Sequence, residues 1–371
     1  MEIEDALNHM LDAGCCLWVG AGLTAQIAGS PQNPPQWKEL IPPQWDKLTS
    51  HLEAASYLIT HRELDYPTRL DQCSQRLGTS AFQAFLRKTY YTDLSLILLR
   101  QAQRALQTND FIPPEVRQVA CLGQIANPIV NFNIEPLSSI LLARPAGPVR
   151  LLSYTEPNKP VLTHDEPADR FRLVYHPHGL VTGSTVMTRT QYQAQSNTLA
   201  FALAVHAAFG SDLAIVGMSL EDAYLREQIT RFRNGIQSIF WFNSEFPEEP
   251  AKWARSKENR IEMLPVSWPE FWNWWKDRAH KPDEGGLYAA WYRTLSEASE
   301  EVQGGEATLL ARLLADAGVG SETSERLNEI AGELGEPSDQ HSSEEFSGVV
   351  VDVRERIMQK GFQLPRVVTT A

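Results

Sequence analysis

Apolar residues along the chain fall into two patterns. Short unbroken runs mark strands buried on both faces, and runs with i, i+3, i+4 spacing mark helices that bury one side. Glu2 to Leu11 has helical spacing, and Cys15 to Val19 (CCLWV) is the first unbroken run. It ends in Gly20-Ala21-Gly22, after which a helix is expected. Gly29 to Pro35 (GSPQNPP) must be a loop, because its prolines and glycine break any regular element. From Trp37 to Gln107 the pattern is helical throughout and offers no strand. Strand candidates then follow at Ile129–Asn133, Leu151–Tyr154, Leu173–Tyr175, Leu213–Val216, Ser238–Phe242 and Met263–Val266. Between and after them come helical stretches at Thr198–Phe209, Asp222–Phe232 and Pro269–Asp277. Strands alternating with helices predict an α/β fold with a mostly parallel sheet. The stretch at about 37–107 reads as an inserted helical subdomain.

Charge changes this picture at about residue 280. The 371 residues carry 33 basic and 46 acidic side chains, a net −13. Residues 281–371 hold 8 basic and 17 acidic groups, a net −9 that leaves −4 for the first 280. Helical patterns (TLLARLLADAG, SERLNEIAGELG), a Ser/Glu/Gly-rich break at Gly335–Ser347 and an amphipathic helix near Val349–Lys360 follow. This reads as an acidic helical accessory region, either a solvated cap or an interaction surface. The acidic balance argues against direct binding to nucleic acid or to an anionic membrane, since both need a basic surface. The longest mostly apolar stretch, about Leu199 to Phe209, is too short to span a bilayer. MEIEDALNHMLDAG lacks the basic and apolar segments of a signal peptide. Cys15, Cys16, Cys73 and Cys121 form no C-x-x-C pair, which excludes a four-thiolate zinc ribbon. A cytoplasmic location is the expectation.

Four places carry chemistry. Val19 to Thr24 (VGAGLT) sits at a strand-to-helix turn, either a plain tight turn or a cradle for a pyrophosphate. Val130 to Leu137 (VNFNIEPL) puts Asn133 and Glu135 at a strand end, where open parallel sheets hold ligands. Asn133 there could equally form a turn or cap a helix. In Tyr175 to Leu180 (YHPHGL), His176 and His178 share one side of an extended segment. They read as structural loop histidines, as a general base, or as half a metal site. Gly217 and Ser219 follow the Leu213–Val216 strand, beside a nucleoside or capping the next helix, with Glu221 and Asp222 solvated in its first turn. WPEFWNWW puts Trp268, Trp272 and Trp275 on one helical face, as core or as an assembly interface.

The order of these motifs, G-A-G-x-T, N-I-E, H-G and G-x-S-L, resembles the sirtuin family over about residues 10–280. It is most similar to the bacterial sirtuin-like domains of anti-phage defence. The resemblance implies a Rossmann-like NAD-binding domain over 1–280, with the helical insertion at about 37–107 and an accessory region at 281–371. Carried over by position, Gly20, Ala21, Gly22 and Thr24 would meet the pyrophosphate, and Gly217 and Ser219 the adenosine side. Asn133 and His178 would match the family's catalytic pair. His176 has no motif role. Glu135 stands where the family has aspartate, and Thr24 where it has serine. The P-D-F-R segment and the zinc cysteines of the protein deacylases are missing, which turns the expectation to a zinc-independent NAD glycohydrolase. The alternative is a non-catalytic NAD or ADP-ribose sensor or scaffold. Such proteins work as homo-oligomers or with a separate partner, such as a HerA-type ATPase, an Argonaute or a nucleotide-sensing protein. This chain has no P-loop of its own.

Overall fold

The computed structural model describes residues 2–28, 112–124, 126–134, 137–143, 149–153, 172–180, 189–195, 208–278, 284–304 and 343–362. It adds short stretches between 71 and 107 and the single positions 186 and 206. Chain contacts divide the molecule into two compact units. The first comprises Met1–Ile27, Pro114–Leu180 and Ser196–Ala290; the second comprises Ala28–Pro113, Val181–Gln195 and Trp291–Ala371.

The first unit is built on a seven-stranded sheet. Its strands are β1 (Cys15–Val19), β2 (Ala126–Asn131), β3 (Val149–Ser153), β4 (Arg172–His176), β5 (Leu213–Val216), β6 (Ile239–Asn243) and β7 (Ile261–Pro265). All seven expected strands form, with ends shifted by a few residues. Their order is β3-β4-β2-β1-β5-β6-β7 and every pairing is parallel. This is an α/β, Rossmann-like fold. The chain runs outward from β1 on one side and then returns to the other, so the direction of winding reverses at β1. That reversal opens a crevice at the carboxyl edge, where ligands of such sheets bind.

The central strands are dry because helices cover both faces. Every residue of β1 and of β5 is buried. Edge strand β7 is only partly covered: Ile261 and Leu264 are buried, Met263 is half-buried, and Glu262 and Pro265 are exposed. Trp18, Phe240 and Trp241 lie fully inside. Burying one aliphatic side chain such as Ile215 contributes about 1.5–3 kcal/mol.

The helices of this unit are α1 (Ile3–Ala13), α2 (Ala21–Ala28, whose last residue falls in the second unit), α3 (Pro114–Gln124) and α4 (Leu137–Ala143). The second unit contributes α5 (Arg189–Gln195). Then come α6 (Ala223–Phe232), α7 (Glu248–Ala254) and α8 (Trp268–Arg278). α1 turns Ala6, Leu7 and Met10 inward and ends where Gly14 N–H donates to the Met10 carbonyl at 3.0 Å. α8 begins with a reciprocal cap. Ser267 N–H and hydroxyl both donate to Glu270 Oε2, at 3.0 and 2.7 Å, and these bonds hold the Glu270 carboxyl below its ordinary range. Trp272 and Trp275 are buried with Phe271, and Trp268 stacks on Trp272. The tryptophan face thus packs as core, while Trp274, off that face, lies under Arg278.

α9 (Glu284–Gly304) bridges the division and α10 (Ser343–Gln359) belongs to the second unit. α10 starts inside the expected Gly335–Ser347 break, and buries Val350, Val353 and Ile357 on one stripe. The stretches at 29–35, 308–318 and 324–335, nearly all of the insertion at 37–107 and most of 198–209 lie outside the described residues. The described end of that last stretch, Ala208–Gly210, is a turn. No helix among the described residues is long and apolar enough to cross a membrane.

Candidate functional site

Four neighbouring strands, β4-β2-β1-β5, carry the motif residues at their carboxyl ends. The turn after β1 and the turn after β5 are packed backbone to backbone. Gly22 N–H donates to the Gly217 carbonyl at 2.9 Å, and Gly20 N–H to Val216 at 3.2 Å. Gly217 has φ +68°, a conformation that side chains rarely tolerate. A Cβ on Gly217 would lie 2.6 Å from Leu23 N, and one on Gly22 would lie 2.9 Å from Gly217 Cα. Glycine at these positions is therefore demanded by the fit of two loops to each other. The amides of Gly20, Gly22 and Leu23 all donate within the protein, the last to the Gly20 carbonyl.

The β5 loop is held in detail. Met218 carbonyl accepts from Trp241 Nε1 at 2.8 Å. Leu220, buried and with φ +54°, is in the left-handed region too, and its carbonyl accepts from Arg226 Nη1 at 2.7 Å. Arg226 also pairs with Glu249 at 2.6 Å. Asp222 is the helix cap: its carboxylate accepts from the amides of Tyr224 and Leu225 at 2.9 and 3.2 Å. Ser219, the expected alternative cap, instead accepts from Glu221 N–H at 3.4 Å within the loop. It lies three residues before Asp222, which takes the cap position itself.

Beyond β2 the polar residues face inward. The Asn133 side chain reaches across to the turn after β1. Its carboxamide Nδ2 donates to Thr24 Oγ1 at 2.8 Å, and both residues are buried. Asn133 N–H donates to Asn131 Oδ1 at 2.9 Å. Asn131 Nδ2 reaches the Ser138 and Ser139 hydroxyls at 2.9 and 2.7 Å, in the first turn of α4. Glu135 lies outside the described residues.

The two histidines are not side by side on one extended segment. β4 ends at His176, and a turn closed by Gly179 N–H on the His176 carbonyl at 3.0 Å carries His178. Each ring donates from Nδ1 to a carbonyl of the β2 exit: His176 to Asn133 at 3.0 Å, His178 to Phe132 at 3.1 Å. Burial drives the His176 pKa down to about 4, against the backbone hydrogen bond to Asn133, which raises it. Burial lowers His178 as well, while the negative charge of Asp222 and the bond to Phe132 pull it back. Both imidazoles are neutral at pH 7, and Nδ1 donation makes Nε2 the unprotonated nitrogen of each. Among the described residues no group of three or more His, Cys, Asp or Glu side chains gathers as a metal site would require. Cys15 and Cys16 are buried free thiols; burial raises both pKa values, Cys15 to about 12. Cys73 lies outside the described residues.

One further feature borders this edge. Asn243 and Ser244, at the end of β6, line a small depression with Val216, Phe242, Val266, Trp268 and Phe271. Asn243 closes the apolar run SIFWFN as Asn133 closes IVNFN, so the two strand ends carry the same signal. Asp222, expected to be solvated in the first turn of its helix, acts with its charge on His178. No sequence signal connected those two.

Residues 128–264 match the family model of the SIR2-like domain, from β2 through β7. The chain carries a SIR2-like domain. The Asn133, His178 and Gly217 motifs fall inside the matched span, and the Gly20–Thr24 turn precedes it. No curated protein matches the chain. A SIR2-like domain places the protein among NAD-utilising enzyme families in general.

Proposed function

We propose that the protein is an NAD glycohydrolase, which cleaves NAD to nicotinamide and ADP-ribose. The observation that carries this reading is the placement of Asn133, bonded to Thr24, and of a neutral His178, bonded to Phe132, at the carboxyl ends of the adjacent strands β2 and β4. In this reaction the bond between the ribose carbon and the nicotinamide nitrogen breaks. The electron pair leaves with nicotinamide, which departs neutral, and the sugar passes through an oxocarbenium-like state. Water adds its oxygen to that carbon and gives up one proton. Little acid catalysis is needed. The site must orient the ribose, oppose the developing positive charge and accept the water's proton. Asn133 would hold the ribose or the water through its carboxamide, exchanging its bond to Thr24 for one to substrate. His178 Nε2, unprotonated at pH 7, would take the proton. Glu135 would orient Asn133 or stabilise charge. The turns at Gly20–Thr24 and Gly217–Ser219 would flank the pyrophosphate and the adenosine, and no step calls for a metal ion.

A second reading is a NAD or ADP-ribose sensor without turnover. Thr24 and Glu135, which stand where the family has serine and aspartate, favour it, since a sensor tolerates changes at the reacting centre that a hydrolase does not. A defence role, control through a homo-oligomer or a separate partner, a cytoplasmic site of action, and a division into a 1–280 catalytic region and a 281–371 accessory region belong to the same proposal.

The test is to incubate purified wild type, Asn133→Ala and His178→Ala with NAD and separate the products. Nicotinamide and ADP-ribose from wild type, reduced at least about 100-fold in both variants, support the hydrolase. Binding of NAD without turnover by any form would move the assignment to the sensor. Failure to bind at all would sink both.

A further inference from the structure

We propose that His176 is a positioning residue: with Asn131 and Ser139 it clamps both backbone polar groups of Asn133 and so fixes that residue's carboxamide. The inference rests on the reading of Asn133 as a group at the reacting centre.

The direction of each hydrogen bond follows from chemistry. His176 Nδ1 faces a carbonyl, which can only accept, so Nδ1 carries the hydrogen and Nε2 is an acceptor. Ser139 Oγ, 2.9 Å from that Nε2, must then donate to it. The same oxygen accepts from Asn131 Nδ2 at 2.7 Å. Asn131 Oδ1 accepts from Asn133 N–H at 2.9 Å, and the Asn133 carbonyl accepts from His176 Nδ1 at 3.0 Å. The ring of bonds begins and ends on residue 133. Its N–H is held from the β2 side and its carbonyl from the β4 side.

Asn131, Ser139 and His176 are each 0% exposed. A serine hydroxyl on an imidazole at this distance is also the geometry of a nucleophile and its base. Full burial excludes that role here, because no substrate carbon can approach Ser139. An interior position of this kind, filled by apolar side chains, would serve packing alone. A closed polar ring adds directional restraint, since every member has one arrangement that satisfies all partners. Restraint is useful at Asn133, where a displacement of about 1 Å would cost on the order of 100-fold in rate.

The test uses a matched pair, His176→Asn and His176→Leu. The two replacements have nearly the same shape, but only asparagine offers an N–H near the Nδ1 position. Asparagine leaves its own oxygen buried, so it is expected to be no more stable than leucine. Stability by thermal melting, kcat and KM for NAD, and hydrogen exchange at the Asn133 amide would be measured on the full chain. The expected result is a fall in kcat of roughly 100-fold for His176→Leu, with KM changed less than about threefold. His176→Asn should keep kcat within about tenfold of wild type. The Asn133 amide should exchange fast in the leucine variant and slowly in wild type. Equal losses in the two variants, a loss confined to KM, losses that track the melting temperatures, or an Asn133 amide equally protected in all three proteins would overturn the clamp. Wild type without turnover would remove the hydrolase reading and leave the exchange measurement to decide the clamp by itself.

Discussion

Replacing Gly217 with alanine tests whether the contact between the β1 and β5 turns holds the site together. Two costs add at this position. A non-glycine residue in the left-handed region costs about 1–2 kcal/mol. The new methyl would also lie 2.6 Å from Leu23 N and 3.1 Å from Gly22 C, both backbone atoms that cannot rotate away. The loops would have to part, at the expense of the Gly22–Gly217 hydrogen bond, worth about 1 kcal/mol net, and of local packing. The total is about 3–4 kcal/mol, less about 0.4–1 kcal/mol regained because alanine restricts the unfolded chain. Gly210 supplies the control. It has φ +74°, but a Cβ there would meet nothing within 4 Å. Gly210→Ala should therefore cost only the conformational part, about 1 kcal/mol or less after the same correction. At about 2–4 °C per kcal/mol for a unit of this size, Gly217→Ala should melt about 4–10 °C below Gly210→Ala. It should also weaken NAD binding, because Thr24 follows the displaced turn. Melting shifts that agree within about 1 °C for the two variants would refute the reasoning.

Three further outcomes are expected. Stability should fall as pH drops from about 6.5 toward 4. The unfolded chain binds a proton at His176 in that window and the folded chain, with a pKa near 4, does not; the loss approaches about 3 kcal/mol at the lower end and should shrink in His176→Leu when melting is followed against pH. Asp222→Asn keeps a good helix cap but removes the charge that raises His178, so the acidic limb of the kcat/KM profile should move to lower pH; a limb that stays in place would detach Asp222 from the site. Arg226→Met should destabilise by about 2–3 kcal/mol in urea titrations, because the buried Leu220 carbonyl loses a charged donor; a change under about 0.5 kcal/mol would show that the loop holds its left-handed residue without help.

Strand positions were legible because an unbroken run such as CCLWV or LAIV has one common use, a strand buried on both faces. Helices were read unevenly. Asp222–Phe232 has a stripe and a cap, and it forms. Pro114–Gln124, with a stripe of Val116, Val119 and Ala120, and the short, proline-interrupted Glu248–Ala254 are not among the expected elements. The capping pair Ser267 and Glu270 was visible as S-x-x-E and went unused. At the site, strand-end asparagine and histidine pointed to the correct edge of the sheet. What those side chains touch was not legible. The Thr24–Asn133 bond joins residues 109 apart, and the Ser139–His176 bond joins residues 37 apart. Such contacts are set by strand order, which the one-dimensional pattern does not contain. The glycines show the same limit. Gly20 and Gly22 looked like concessions to a ligand, whereas the bodies they make room for are Gly217 and Met218.

The place of β1 in the sheet has a consequence for synthesis on the ribosome. β1 is made first, yet it sits at the centre, and its two neighbours begin at Ala126 and Leu213. At about 5–20 residues per second, the ribosome needs roughly 10–40 s after making β1 to deliver β5. For that interval CCLWV is an apolar strand with at least one edge unpaired, the kind of segment that seeks partners on other chains. Slow elongation, crowded expression or a truncation before residue 213 should therefore send the nascent protein to aggregates or chaperones, and the soluble yield should rise when chaperone supply is raised.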